Sequence, residues 1–330
     1  MNSLKNKKIL IFGTGAVGGY YGGVLVKAGF DVTFVARGKN YEVLKKNGLT
    51  LIINGKKEII PINVAETIHE LPKGKPFDYI FICVKSMDTK NAANQIKNNV
   101  GPNTTVLSFQ NGIENEEIIS SVVGKEHVIG AYVYIASQMT EPGVVNMTGN
   151  HTATIGEFNG EKTKRILDLE SVIKSAGVKC IISDDIAADL WNKLVWNGSF
   201  NPVSVLSSKT VDKILEDKEL YELLKNIMGE VKEVAIAHGI NIRPDTVEFN
   251  LDRSKNIKSP NAHHSQNFTG FKTSMLQDYE RGKPLELEEL VGVVIRKAKE
   301  KNISVPNIER VYKEVKQKLT FVETRRGVSL

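Results

Sequence analysis

One lysine and two asparagines in the middle of the chain are spaced four residues apart, at Lys193, Asn197 and Asn201. On an α-helix this spacing places the three side chains in one stripe. A lysine in a partly dry cleft supplies both a positive charge and a proton to a substrate oxygen that becomes negative during a reaction. Asparagine amides bind a carboxylate or a hydroxyl group without adding charge. On a helix that lines a cleft, the stripe would present one positive charge and two amides side by side.

The residues around this stripe are largely apolar; they are Leu190, Trp191, Leu194, Val195, Trp196 and Phe200. A helix of this kind packs in a protein interior, where an uncompensated lysine is costly. Two interpretations remain: a solvated stripe on an amphipathic helix, or a helix that lines a polar cleft. We favour the cleft because two amides and one lysine make a poor solvent-facing surface. Pro202 removes a helical N–H, so we expect the helix to kink or end where the stripe ends.

A glycine-rich turn near the start of the chain is the second chemical feature. Its pattern is GxGxxG, formed by Gly13, Thr14, Gly15, Ala16, Val17 and Gly18. The turn follows an apolar strand at Lys8–Phe12 and opens a predicted helix over 16–29, and a second strand follows over 31–36. In this context the pattern binds the pyrophosphate of a dinucleotide on free N–H groups at the helix start. The alternative is a glycine-rich turn without a ligand.

The end of the second strand predicts which dinucleotide binds. A site for NAD usually has an acidic residue here, whereas this chain has Arg37, with Lys39 nearby and no acid between Val32 and Tyr41. An arginine can bind a 2′-phosphate with two hydrogen bonds, and a carboxylate would repel it. We therefore predict NADP(H) as the cofactor, against the alternative that Arg37 is a solvated loop residue.

Two more polar residues follow predicted strands, at the sheet edge where open α/β sheets bind their ligands. Lys85 follows a strand over 78–84, and Asn111 follows a strand over 105–108. Gly112 is free to adopt a positive φ in the turn after Asn111. The sequence leaves the roles of both residues open, because Lys85 also fits a solvated loop and Asn111 also fits an ordinary Asn-Gly turn.

The order of the predicted elements divides the 330 residues into two domains. Strands and helices alternate at first, which predicts an α/β domain with a Rossmann-type parallel sheet over residues 1–183. Residues 184–330 are predicted to form an all-helical domain. The remaining predicted elements are strands over 48–53, 128–134, 152–155 and 179–182, a hairpin turn at 141–143, a loop over 250–260, and helices over 162–175, 185–201, 219–238, 261–281 and 286–301.

Composition and charge exclude several function classes. The net charge is +6, but basic and acidic residues are interspersed, and no basic face carries interleaved aromatic residues, so we expect no nucleic-acid partner. No apolar run approaches the roughly 20 residues of a membrane helix, and we expect a cytoplasmic protein without membrane contact. Two cysteines and six scattered histidines lack the spacing of metal ligands, so we predict no metal site.

These motifs, taken in order, resemble those of the ketopantoate reductase family. The motifs that carry the resemblance are the turn Gly13 to Gly18, Cys83-Val84-Lys85, Gln110-Asn111-Gly112, Leu190-Trp191-Asn192-Lys193-Leu194 with Asn197 and Asn201-Pro202, Ser274-Met275-Leu276-Gln277-Asp278, and Gly282-Lys283-Pro284 with Glu286. The resemblance implies a Rossmann domain followed by a helical domain like that of 6-phosphogluconate dehydrogenase relatives. It also implies NADPH-dependent reduction of 2-dehydropantoate (ketopantoate) to (R)-pantoate, a step of pantothenate and coenzyme A biosynthesis.

The same resemblance implies roles for individual residues. Lys193 would be the catalytic acid, and Asn111 would lie near both the nicotinamide and the substrate. Glu286 would be the carboxylate of the site, in contact with cofactor or substrate. The other implied contacts are Asn197, Asn201 and Ser274 with the substrate, Arg37 with the 2′-phosphate, and Lys85 and Ala136 with the cofactor.

Several alternatives stay open. Glu286 follows Pro284 at the start of a predicted helix, where the helix dipole alone favours an acid. Leu285 and Glu288 depart from the threonine and aspartate that are usual in the family, which leaves the exact substrate open. A reductase of a different 2-oxo acid and a non-catalytic NADP(H) sensor are the two other candidate functions. The apolar helical half is compatible with a homodimer.

Overall fold

The computed structural model describes residues 2–72, 76–255 and 270–326. These residues form two compact units. The first contains the chain up to Gln110 together with Glu114–Ala187, and the second contains Asn111–Ile113 together with the residues from Ala188 onward.

The first unit is built on one sheet. Its described strands are β1 (Lys8–Phe12), β2 (Asp31–Val35), β3 (Leu49–Ile53), β4 (Lys56–Ile60), β5 (Asn63–Ala65), β6 (Tyr79–Ile82), β7 (Thr105–Ser108), β8 (Val128–Glu141), β9 (Val144–Gly156) and β10 (Lys179–Ile182). They are ordered β4-β3-β9-β8-β7-β6-β1-β2-β5, with β10 paired to β9.

The position of β1 inside the sheet explains why the strand is an almost unbroken apolar run. It pairs in parallel with β2 on one side and β6 on the other, so that Leu10 is in register with both Thr33 and Ile80. Ile9 and Ile11 belong to the hydrophobic core on one face of the sheet, and Leu10 belongs to the core on the opposite face. A strand buried on both faces needs apolar residues throughout. The predicted Rossmann-type parallel sheet is confirmed.

The far half of the sheet contains more strand than the sequence predicted. β8 and β9 are antiparallel, with Glu141 opposite Val144, which confirms the hairpin turn at 141–143. Both strands extend well beyond the predicted ranges. The prediction missed β4 and β5; the first four residues of β4 are exposed at the sheet edge, so the strand lacks the apolar run that identifies buried strands.

Helices complete both units. The described α-helices are α1 (Asn2–Lys5), α2 (Ala16–Lys27), α3 (Gly38–Asn47), α4 (Thr89–Ile96), α5 (Asn115–Val123), α6 (Lys164–Ser175), α7 (Ile186–Ser207), α8 (Val211–Glu216), α9 (Lys218–Ala237), α10 (Thr246–Lys255), α11 (Ser274–Glu280), α12 (Val293–Glu300) and α13 (Pro306–Arg326). A π-helical turn at Glu288–Gly292 precedes α12. Within the described ranges, no helix has the length and apolar character needed to cross a lipid bilayer.

Helix α7 passes through the core of the second unit and continues past Pro202 to Ser207. Of the two expected outcomes, a kink or an end of the helix at the polar stripe, the second was wrong. Val203 and Val205 are fully buried just beyond the proline, so their packing offsets the lost backbone hydrogen bond. The ammonium group of Lys318 in α13 donates to the carbonyls of Val205 and Leu206, 2.8 and 3.0 Å away, and so caps the end of the helix.

Three further predictions for the second unit need correction. Residues 250–255, predicted as loop, form the second half of α10, while 256–260 lie outside the described residues. The predicted helix over 261–281 is described only from residue 270, and only Ser274–Glu280 is helical. The predicted helix over 286–301 begins with a π-helical turn, which local sequence pattern does not reveal.

Candidate functional site

The glycine-rich turn is fastened to the end of β2. Gly13 adopts a φ of +101°, which permits the sharp turn after β1. The backbone N–H groups of Gly13 and Thr14 both approach the carbonyl of Val35, at 3.2 and 3.1 Å. The Thr14 hydroxyl donates to the same oxygen at 2.9 Å. The side chain of Thr14 therefore stabilises the turn.

Two glycines of the turn differ in the space around them. A Cβ on Gly18 would lie 2.2 Å from the carbonyl oxygen of Gly13 and 2.9 Å from Cβ of Cys83, so only glycine fits there. A Cβ on Gly15 would meet no other atom of the described residues within 4 Å, its immediate chain neighbours apart. Gly15 is the N-cap of α2 and carries no capping side chain. Open main chain at the positive end of a twelve-residue helix fits a pyrophosphate group.

Cys83 lies beneath this turn as a packing residue. Burial raises the pKa of its thiol far above the ordinary value, so the sulfur stays protonated and is a poor nucleophile. Among the described residues, no group of three or more histidine, cysteine, aspartate or glutamate side chains is arranged to hold a metal ion.

Asn40 was missed by the sequence analysis and supports the turn from outside. Its amide nitrogen donates to the carbonyl of Thr14 at 2.8 Å, and its amide oxygen accepts from the backbone N–H of Gly143 at 2.7 Å. One side chain of α3 thus joins the glycine-rich turn to the tip of the β8–β9 hairpin. No local motif identified this role, because the two partners are far apart in sequence.

Arg37 is the N-cap of α3 and remains 72% exposed. Its guanidinium group contacts one carboxylate: Nη2 lies 3.2 Å from Oδ2 of Asp88, which is 41% exposed. Asp88 belongs to the short 3₁₀ turn that follows Lys85. Lys85 itself is exposed at the start of that turn. The structure therefore brings Arg37 to the segment that carries Lys85, and it adds an acid that the sequence analysis did not identify.

A buried hydrogen-bond network holds the residue that precedes Asn111. The side-chain amide of Gln110 donates to the Thr89 hydroxyl at 2.8 Å, and its oxygen accepts from the Ser108 hydroxyl at 3.0 Å. The Gln110 backbone N–H approaches the same serine oxygen at 3.2 Å. Gly112 has a φ of +106°, as the turn after Asn111 requires. Gln110 is thereby explained as the anchor of the turn.

Ala136 lies in β8, half-buried, where it pairs with Thr148 of β9. The pairing register shifts between Tyr134 and Ala136. An irregularity of this kind changes which way the following side chains point. No hydrogen bond of the described residues distinguishes Ala136 as a cofactor contact, and its assignment stays a prediction.

In the second unit the polar stripe of α7 is buried. Lys193, Asn197 and Asn201 are 7%, 6% and 0% exposed, so the interpretation as a solvated face was wrong. The amide nitrogen of Asn197 lies 3.5 Å from the amide oxygen of Asn111. The structure therefore brings together two of the predicted substrate contacts that are far apart in sequence.

The side chain of Asn201 is unsatisfied. Its amide nitrogen and its amide oxygen are both buried, and neither has a hydrogen-bond partner among the described residues. Leaving a buried polar group unpaired costs about 1–3 kcal/mol, so native proteins seldom do so without a reason. A ligand that offers both an acceptor and a donor would remove this cost.

Two other predicted residues, Glu286 and Ser274, belong to segments that contact α7 through neighbouring residues. Glu286 is 5% exposed, and its carbonyl accepts from Leu290 N–H at 3.2 Å, at the start of the π-helical turn. A Cβ on Gly198 would lie 3.1 Å from the carbonyl oxygen of Leu290, so α7 packs closely on that turn. Ser274 is the first residue of α11 and is exposed.

Comparison with known proteins identifies the family. The model of the family described as "Ketopantoate reductase PanE/ApbA" matches residues 9–160, and that described as "Ketopantoate reductase PanE/ApbA C terminal" matches residues 185–319. A 2-dehydropantoate 2-reductase of Mesorhizobium japonicum is 32% identical over 325 residues, which covers 92% of this chain and 95% of the relative.

Solved structures show the same fold. The 2-dehydropantoate 2-reductase of Geobacter metallireducens is 30% identical, with a TM-score of 0.85 over 94% of this chain and 99% of that one. A D-mandelate dehydrogenase, solved with NADH and anilino(oxo)acetate, has a TM-score of 0.86 over 96% of this chain and 99% of its own. At 21% identity, that second likeness indicates a shared fold only.

The contrast between Gly15 and Gly18 yields a paired prediction. Gly15→Ala places a methyl group where we expect the pyrophosphate, so dinucleotide affinity falls about tenfold or more while the fold persists, because a φ of −84° suits alanine. Gly18→Ala instead lowers the free energy of unfolding by about 1–3 kcal/mol, since the methyl group collides with the main chain.

Titration calorimetry with NADPH and NADH measures the first effect, and urea unfolding measures the second. If Gly15→Ala and the unsubstituted protein bind the dinucleotide with equal affinity, the assignment of the pyrophosphate to this turn is refuted.

Proposed function

The chain belongs to the ketopantoate reductase family, and from that membership we propose that it catalyses the NADPH-dependent reduction of 2-dehydropantoate to (R)-pantoate. This reaction serves pantothenate and coenzyme A biosynthesis. The observation that supports the proposal best is the buried stripe of α7. It combines a lysine with an amide, that of Asn201, whose two polar atoms have no partner among the described residues.

The chemistry of a 2-oxo acid matches what this stripe offers. Reduction requires a hydride at the carbonyl carbon and a proton at the carbonyl oxygen. When bound, a reduced nicotinamide supplies the hydride. Lys193 donates a proton from its Nζ atom to the carbonyl oxygen, and its positive charge stabilises the alkoxide as it forms. The product is the 2-hydroxy acid, and Lys193 regains its proton from solvent after release.

The neighbouring residues orient the substrate. The Asn201 side chain offers N–H donors and an acceptor oxygen, which suit a hydroxyl group. Asn197 and Asn111, whose amide groups lie 3.5 Å apart, offer further amides. Ser274 adds a hydroxyl at the start of α11. Glu286 is the buried carboxylate that we assign to orienting the lysine or the cofactor. Of these groups only Glu286 adds charge, so the amides and the Ser274 hydroxyl leave the attraction between Lys193 and an anionic substrate unchanged.

The dinucleotide is assigned to the first unit. The open main chain at Gly15 suits its pyrophosphate, and Arg37 suits a 2′-phosphate, whose charge and geometry match a guanidinium group. Thr14, Ala16 and Val17 complete the turn around Gly13 and Gly18. Lys85 and Ala136 are assigned to the same cofactor.

The identity of the substrate is tested by following NADPH oxidation with 2-dehydropantoate beside a set of other 2-oxo acids, including an aryl one. We expect kcat/KM to be at least about tenfold higher for 2-dehydropantoate, because an unpaired amide at Asn201 penalises acids that lack a matching polar group. A higher kcat/KM for another acid would make the chain a reductase of that acid. NADPH binding without turnover of any acid would instead favour a sensor.

Removal of the proposed acid has a defined effect. Lys193→Ala should lower kcat by about 100-fold or more, within the range of general-acid catalysis. The affinity for NADPH, measured by calorimetry, serves as the internal control and should stay within about threefold of the unsubstituted enzyme, because Lys193 lies on the second unit. Unchanged turnover in this variant would reject the assignment.

Cofactor choice is tested at Arg37 and Asp88. Arg37→Ala should lower kcat/KM for NADPH about tenfold or more and leave that for NADH within about threefold, because only NADPH carries the 2′-phosphate. Asp88→Asn should raise affinity for NADPH, since the phosphate no longer competes with a carboxylate for the guanidinium group. The gain should disappear when Arg37 is already alanine. Equal losses with both cofactors in Arg37→Ala would refute the assignment.

A further inference from the structure

Two buried hydroxyl groups connect α7 to the start of α11. The Ser204 Oγ atom lies 2.6 Å from Oγ1 of Thr273, and both residues are fully buried. Ser204 stands three residues after Asn201 on α7, and Thr273 is the N-cap directly before Ser274. The contact therefore joins the segments that carry two of the proposed substrate contacts.

Only one assignment of donors and acceptors is consistent with the hydrogen bonds around this contact. The backbone N–H of Leu276 donates to Thr273 Oγ1 at 3.1 Å, as in an ordinary helix cap. The Ser204 hydroxyl donates its single proton to the carbonyl of Asn201 at 2.8 Å. The Thr273 hydroxyl must then donate to Ser204. Three hydrogen bonds thus run in series from Leu276 through Thr273 and Ser204 to the carbonyl of Asn201.

This series acts on a part of α7 that is otherwise weakened. Pro202 supplies no N–H to the helix, and the Asn201 amide makes no hydrogen bond with any described residue that would hold it in place. An unpaired amide binds a ligand well only when the main chain beneath it is fixed, since ordering it during binding would cost affinity. The hydroxyl of Ser204 fixes that main chain and ties it to α11.

We propose that Ser204 and Thr273 are positioning residues that set the separation between the Asn201 amide and the Ser274 hydroxyl, and thereby the affinity for the 2-oxo acid. This inference rests on the proposed function. Unlike the Asn201 amide, both hydroxyl groups are already committed to each other and to the main chain, so we assign neither of them a direct contact with the substrate. Their effect is transmitted through the two residues that they hold.

The chain supplies a matched control on the same helix. Ser199 is also fully buried, and its hydroxyl donates to the carbonyl of Val195 at 2.6 Å. That bond stays within α7 and links no second element. Ser199→Ala and Ser204→Ala therefore remove the same group from the same helix, and only the second breaks the connection to α11.

The experiment compares four variants by steady-state kinetics with NADPH and the preferred 2-oxo acid. Ser204→Ala should raise KM for the acid about five- to tenfold, the equivalent of one lost hydrogen bond, and leave KM for NADPH within about twofold. Ser199→Ala should leave both values within about twofold. Thr273→Val should match or exceed Ser204→Ala, while Thr273→Ser, which keeps the hydroxyl, should behave as the unsubstituted enzyme.

Thermal unfolding followed by circular dichroism confirms that each variant is folded at the assay temperature. Hydrogen exchange supplies a readout that does not require activity: Ser204→Ala should speed exchange of the first-turn amides of α11, and Ser199→Ala should not. Similar substrate KM values for Ser204→Ala and Ser199→Ala, or unaltered exchange in α11, would overturn the positioning role. An unsubstituted protein that reduces no 2-oxo acid would refute the proposed function, and exchange alone would then decide whether the pair connects the two helices.

Discussion

The burial of polar groups on α7 is the constraint on which the second unit depends. Lys193 and Asn201 lie buried among apolar neighbours, and the Asn201 amide has no hydrogen-bond partner among the described residues. Burying polar groups carries a cost that packing elsewhere must offset. Fully buried residues such as Phe200, Val203 and Met228 supply that packing within one continuous core. The apolar residues therefore stabilise the helix, and its polar residues are the ones that we propose to contact the substrate.

Neighbouring helices hold α7 through polar contacts as well as apolar ones. Thr246 donates to the side chain of Asn192 at 2.6 Å, and the Trp196 indole N–H donates to Ser254 at 2.8 Å. These contacts come from α10, while α13 caps the end of α7 through Lys318. Burial lowers the pKa of Lys318, yet its three acceptors still hold it against the helix end. The stripe is thus fixed from several directions.

Features with a local signature could be predicted from the sequence. The GxGxxG turn, the parallel strands and the stripe at Lys193, Asn197 and Asn201 all follow from spacing along one segment. The same spacing of four is present at Thr246, Asn250 and Ser254, all buried, and it could have identified α10 where a loop was predicted. A polar helix face that pairs with another helix resembles a loop when only its hydrophilicity is considered.

Features that join distant segments could not be predicted in this way. The contacts of Arg37 with Asp88, of Asn40 with Gly143 and of Ser204 with Thr273 each link residues that no short motif contains. Continuation of α7 beyond Pro202 depends on the same kind of information, because packing and a cap from α13 outweigh the local rule. Tertiary structure decides where sequence pattern leaves several outcomes open.

The placement of the tryptophans has a practical consequence. The chain contains two, Trp191 and Trp196, and both lie on α7 beside the polar stripe. Trp191 stacks on the His238 ring at 6.4 Å, and Trp196 stacks on Phe200 at 4.9 Å between ring centroids. The tryptophan fluorescence of the protein therefore originates from the one helix that carries Lys193. These two tryptophans are therefore an intrinsic fluorescent probe of that helix, and no dye has to be attached to observe it.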